Sequence, residues 1–160
     1  MSRDGFTTCL WFDGQAEEAA EFYVSVFKDS SIGEVVRYAE GAMGPAGGVM
    51  TVEFTANGHR FVALNGGPQF KFNEAISFQI FCDDQEEIDH YWSRLVEGGG
   101  EPGPCGWLKD RFGVSWQVIP ERLPALIGDS DPVKAARATQ AMLAMGKLDI
   151  AALEKAHAGG

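Results

Sequence analysis

The sequence is short of cysteine, histidine and positive charge, and it has no long apolar run. Its three cysteines, Cys9, Cys82 and Cys105, are spread over 160 residues, which excludes a CxxC redox or zinc pair and any disulfide framework. Its three histidines, His59, His90 and His157, have no second ligand at helical or strand spacing, so each reads as a surface histidine. Lys and Arg number 13 against 23 Asp and Glu, for a formal charge of −10. That balance excludes a phosphate backbone or an anionic membrane as partner. The acid is spread along the helices and reads as a solvated face. No run approaches the ~18 apolar residues of a membrane helix. The first fourteen residues, MSRDGFTTCLWFDG, carry no apolar leader, so a reduced, cytoplasmic setting is expected.

What the sequence does contain is enough apolar residues, 45%, to bury a core in one ordinary domain. Phe6–Phe12 is β-rich and ends at Asp13-Gly14. From Ala16 to Phe27 the apolar positions fall on one helical stripe, with Glu17, Glu18 and Glu21 near the N-terminus and Asp13 as the expected cap. Gly33–Ala39 and Gly48–Ala56 read as strands flanking Glu40–Gly47, a Gly- and Pro-containing loop able to border a site. Asn57-Gly58 then turns the chain into a strand over Arg60–Leu64. That strand ends at Asn65-Gly66-Gly67-Pro68. The order then recurs: a strand over Ala75–Cys82, a capping-box-like start at Asp84 and Glu87, and a helix over Gln85–Val96. Placing Phe22-Tyr23 over Tyr91-Trp92 gives an offset of about 70 residues. Gly98–Pro104 reads as a loop.

Cys105–Pro120, CGWLKDRFGVSWQVIP, packs two strands and a charged turn into one stretch. Asp110 opens the turn and Gly113 tolerates positive φ. On the returning strand Ser115, Gln117 and Ile119 share one face, while Val114, Trp116 and Val118 share the other, which reads as core. After Pro120, Asp131-Pro132 starts a helix running to about Met145, and Asp149 caps a shorter one. Their Ala, Met and Leu face must pack on the main body or on a partner subunit.

Together, the two halves, Phe22-Tyr23, Leu64-Asn65-Gly66-Gly67-Pro68 and the Cys105–Pro120 block with Trp116-Gln117 resemble the vicinal oxygen chelate superfamily, which includes glyoxalase I, bleomycin-resistance proteins and extradiol dioxygenases. The subgroup they resemble is PhnB-like, often labelled "3-demethylubiquinone-9 3-methyltransferase domain". The resemblance implies an α+β fold of two βαβββ modules, about 5–68 and 74–121, forming an eight-stranded cup. It gives one domain over 1–122, a helical extension over 123–160 and a homodimer. Carried over, the superfamily's four metal-ligand positions fall on Thr7, Ala63, Ser77 and Gln117. None of these supplies the imidazole or carboxylate a divalent cation wants there. The expectation is therefore no metal site and no cofactor. S-adenosylmethionine would require a Gly-rich turn after a strand, whereas Gly98-Gly99-Gly100 follows a helix.

If the modules close as the resemblance implies, Thr7, Cys9 and Trp11, then Ser77, Gln79 and Phe81, then Ser115 and Gln117 converge on a cup of aromatic and neutral hydrogen-bonding groups. With Asn65 at the end of its strand, we take Thr7, Trp11, Asn65, Ser77, Gln79, Ser115 and Gln117 as candidate ligand-binding residues for a small, largely uncharged organic molecule. The alternative is an enzyme using the same pocket, of lyase, dioxygenase or methyltransferase type, with or without an external metal. Cys105, near Lys109 and Arg111 in sequence, is its candidate nucleophile.

Overall fold

The computed structural model describes residues 5–160. It contains two βαβββ units, followed by helices that pack on the second. In the first, β1 (Thr8–Phe12), α1 (Ala16–Val26), β2 (Ser31–Arg37), β3 (Val49–Ala56) and β4 (His59–Asn65) form a mixed sheet in the order β1-β4-β3-β2, with β1 and β4 parallel. Leu10 and Phe12, Val52 and Phe54, and Phe61 and Ala63 are buried on the helix side. There α1 lays down Ala16, Ala19, Ala20, Tyr23 and Val26. The small alanines let the helix approach closely enough for Tyr23 to stack on Phe54 (5.8 Å) and Phe54 on Phe61 (5.0 Å). Asn57 and Gly58 both take positive φ, at 52° and 75°, the twist a two-residue hairpin requires.

Asp13 does not cap α1. The cap position is Gln15, without a side-chain bond. The free N–H of Ala16 instead reaches Asn65 Oδ1 at 2.8 Å, so a residue 49 positions away satisfies the helix start.

The second unit repeats the order with β5 (Ser77–Cys82), α2 (Gln85–Val96), β6 (Glu101–Pro102), β7 (Trp107–Lys109) and β8 (Ser115–Pro120), arranged β5-β8-β7-β6. Here the local cap holds. Asp84 Oδ1 accepts from Glu87 N (2.9 Å), and Glu87 Oε2 accepts from Asp83 N (2.8 Å). Ile88, Tyr91 and Leu95 are the buried face of α2. The turn between β7 and β8 is built on Asp110, which is buried. Its carboxylate accepts from Phe112 N (2.9 Å), Val114 N (3.1 Å) and Trp116 Nε1 (2.8 Å). Strand β6 lies within the stretch the sequence reads as loop. Its two residues are a strand only because they pair with Lys109 and Leu108.

Beyond β8, α3 (Leu123–Ile127), α4 (Pro132–Leu143) and α5 (Ile150–Ala158) follow; α3 has no counterpart in the sequence reading. Leu123, Leu148 and Leu153 close on Ile119 to form one buried cluster. Backbone bonds join the tail to the Cys105–Pro120 stretch: Cys105 N to Met145 O and Gly106 N to Gly146 O, each 2.8 Å. Gln85 adds side-chain bonds to Leu148 O (3.0 Å) and Ile150 N (2.9 Å). Part of the tail's apolar face is thus covered by its own chain, while Val133 and Leu143 of α4 stay exposed.

Candidate functional site

Each sheet turns one face to its helix and one away from it. On the far face of the second sheet, strand register sets Ser77 beside Ser115 and Gln79 beside Gln117. Gln117 Nε2 donates to Ser77 Oγ at 2.8 Å, and Gln79 Nε2 donates to Gln117 Oε1 at 3.4 Å. Three of the predicted residues therefore already satisfy one another. Ser115 is 1% exposed, and its hydroxyl has no hydrogen-bond partner. Lys109, on the neighbouring strand, is ion-paired with Glu74. That hydrogen bond holds the Glu74 carboxyl below its ordinary range and raises the Lys109 ammonium.

The first unit has a concave site. A pocket of about 720 Å³ lies between the ends of β1 and β4 and the loop from Tyr38 to Gly48. Its walls are mainly carbon: Trp11, Leu64, Val49, Met50, Met43 and Pro45, together with Tyr38. Two glycines shape it by close approach. A Cβ at Gly66 would stand 2.4 Å from the Trp11 ring, and one at Gly44 would stand 2.3 Å from the Tyr38 ring.

The pocket's polar side chains are engaged. Trp11 Nε1 donates to Gly67 O at 2.9 Å, the Tyr38 hydroxyl donates to Asn65 O, and Asn65 Nδ2 donates to Val49 O at 3.0 Å while its Oδ1 holds Ala16. The structure thus brings Trp11 and Asn65 to one pocket. Thr7 lies apart, at the edge of a smaller depression of about 280 Å³ with Thr55 and Arg60. Tyr38, Met43, Met50 and Leu64 are lining residues that the sequence reading did not propose as ligand contacts. The loop's Gly and Pro content was the available signal.

The superfamily's metal does not fit these residues. Ala63 is fully buried on the helix side, paired with Leu10 and Val52, so the far-face positions of β4 are Val62 and Leu64. With Thr7, Ser77 and Gln117 they supply no carboxylate or imidazole. Among the described residues no three His, Cys, Asp or Glu side chains group to hold a metal ion. The Gly98-Gly99-Gly100 run is no cofactor cradle either. Gly100 N closes on Val96 O (2.9 Å), and a Cβ there would meet Lys109 O at 2.7 Å.

Cys105 is half-buried with φ +58°, and the Lys109 ammonium beside it in sequence is spent on Glu74. Burial raises the thiol of Cys9, on the far face of β1, above its ordinary value. Such a thiol is a weaker nucleophile at neutral pH. His59 bonds to Thr8 Oγ1 (2.9 Å), and His157 pairs with Asp129 (2.8 Å).

Comparison with known proteins supports this architecture. The family model described as 3-demethylubiquinone-9 3-methyltransferase matches residues 4–119. A putative 3-demethylubiquinone-9 3-methyltransferase, PhnB protein, from Bacillus cereus is 36% identical, with TM-score 0.65, over 73% of this chain and 99% of that one. A Pseudomonas aeruginosa protein is 21% identical, with TM-score 0.59, over 72% of this chain and 96% of that one. The fosfomycin resistance protein FosX from Mesorhizobium loti, 13% identical with TM-score 0.52 over 72% and 90%, shares the fold. No curated protein matches the chain. Among the described residues no helix is long and apolar enough to cross a membrane. With its two four-stranded mixed sheets and matched length, the chain belongs to the PhnB-like, 3-demethylubiquinone-9 3-methyltransferase family of the vicinal oxygen chelate superfamily.

Proposed function

We propose that this protein binds a small organic molecule without an intrinsic divalent metal, and that the molecule occupies the pocket of the first βαβββ unit. The observation that carries the reading is the pocket itself. At about 720 Å³ it is within the range of small-molecule sites, about 300–1,000 Å³, and like them it is apolar with few polar groups. The metal-free part rests on the donor set, since Thr7, Val62, Leu64, Ser77 and Gln117 offer no ligand of the kind the superfamily's metal enzymes use. Homodimerisation belongs to the same proposal, supported by exposed Phe6, Ile32, Val35 and Phe70.

The test is thermal melting of untagged protein against a small-molecule library and, separately, Mn²⁺, Ni²⁺, Zn²⁺ and Fe²⁺, with elemental analysis of the purified protein. A saturable shift with an organic molecule, lost in Trp11→Ala, is the expected result. Stoichiometric metal, or a saturable shift with a cation alone, overturns it. Light scattering checks the dimer.

A further inference from the structure

We infer that the ligand of this pocket is a neutral, hydrogen-bond-poor molecule, an aromatic or alicyclic hydrocarbon skeleton, held by packing and not by polar recognition. The inference rests on the binding role just proposed and names the chemical class it serves. Its basis is where the pocket's polar groups point. The indole N–H of Trp11 is bonded to Gly67 O, the hydroxyl of Tyr38 to Asn65 O, and both ends of the Asn65 amide to Ala16 N and Val49 O. Several backbone donors in the wall are engaged as well: Gly48 N bonds to Pro45 O (2.9 Å) and Gly66 N to Phe12 O (3.0 Å).

Among the described residues, none that lines the pocket is charged. Arg37 donates through Nη1 to Gly47 O (3.0 Å) in the loop, but it is not among the lining residues. A carboxylate, sulfonate or phosphonate entering here would lose its water and meet no cation among the described lining residues. Burying an unpaired charge costs far more than burying a hydroxyl. What the wall does offer is the Trp11 ring system, which also packs edge-on against Phe70 (4.9 Å), along with Leu64, Val49 and the pliable side chains of Met50 and Met43. Met43 projects from the rim loop almost fully exposed, at 96%. A ligand surface beside it would remove that thioether from water.

The experiment uses two probes with the same rings, neutral N-phenyl-1-naphthylamine and its anionic counterpart 8-anilino-1-naphthalenesulfonate. They are titrated into the whole protein and read by probe emission and by quenching of tryptophan emission. The neutral probe is expected to bind saturably, at least about tenfold more tightly than the sulfonate, a difference of about 1.4 kcal/mol. Because the protein's overall charge also repels anions, two variants of equal charge change separate local from global effects. Met43→Arg at the exposed rim should narrow the preference severalfold, and Glu86→Gln, on α2 in the second unit, should leave it unchanged. Leu64→Gln should weaken the neutral probe severalfold.

Equal or tighter binding of the sulfonate by the wild-type protein overturns the inference while the binding role stands. So does a library hit that is charged, competes with the neutral probe and responds to Met43→Arg. Saturable neutral-probe binding indifferent to both Met43→Arg and Leu64→Gln places the probe elsewhere and also overturns it. If neither probe nor any library molecule binds, the binding role falls, and this inference with it.

Discussion

Replacing Asn65 by Ala tests whether this side chain serves the fold or the ligand. Its Oδ1 is the acceptor for the N–H of Ala16, a residue with no exposed surface, and its Nδ2 bonds to Val49 O. Removing the amide strands a buried backbone donor, at about 1–3 kcal/mol, and deletes a second hydrogen bond worth about 0.5–1.5 kcal/mol. The expected loss is about 2–4 kcal/mol, which for a chain of this size lowers Tm by about 5–15 °C. Asn65→Asp keeps the acceptor, and its charge faces the favourable end of the helix dipole. It loses the donor to Val49, so about half the stability loss is expected. Urea unfolding followed by tryptophan fluorescence gives the free energies, and amide exchange at Ala16 gives the local effect, which should be far faster in Asn65→Ala. An Asn65→Ala protein within about 0.5 kcal/mol of wild type, with normal exchange at Ala16 and lost ligand binding, would refute the structural role and restore Asn65 as a ligand contact.

The remaining predictions concern other buried groups and one ion pair. Asp110→Ala leaves three donors around a buried site and should cost about 3 kcal/mol or more, measured by urea unfolding. Ser115→Ala removes a buried hydroxyl with no partner and should leave the protein equally stable or raise it by up to about 1 kcal/mol; a loss above that range would reveal an unseen partner. Gly66→Ala drives a methyl into the Trp11 ring and should cost about 1–3 kcal/mol, with a shift in tryptophan emission and weakened neutral-probe binding. The Asp129 carboxyl is held below its ordinary range first by the backbone N–H of Asp131 and then by His157. Its contribution to docking the terminal helix is therefore complete above the ordinary carboxylate pKa and is lost as pH falls through the depressed value. Lower amide protection factors in α5 at acid pH, corrected for the intrinsic exchange rate, with no such pH dependence in Asp129→Asn, are the expected reading.

Asp84, Asp131 and Asp149 were legible as helix caps because each bonds to N–H groups two or three residues on, within the range of local sequence. The Asn57-Gly58 hairpin was legible for the same reason. So was the inward face of β1 and of β5, because alternation is a local property. The offset of about 70 residues between the halves recurs in the structure as the same strand order in both sheets. By itself, then, the sequence determined the two modules, the core faces of β1 and β5, and the family.

What only the tertiary structure decided depends on partners far away in the chain. The start of α1 is satisfied by Asn65 across 49 residues, a pairing no local pattern encodes, and it gives a predicted ligand contact a second task in supporting the fold. β6 exists because β7 lies beside it. Ala63 sits on the helix side because the β4 register puts it opposite Leu10, where a shift of one residue changes face. The apolar pocket, with its hydrogen bonds already spent, forms where Trp11, Tyr38 and Leu64 converge from three separate stretches. Which polar groups stay free for a ligand is settled by packing and not by composition.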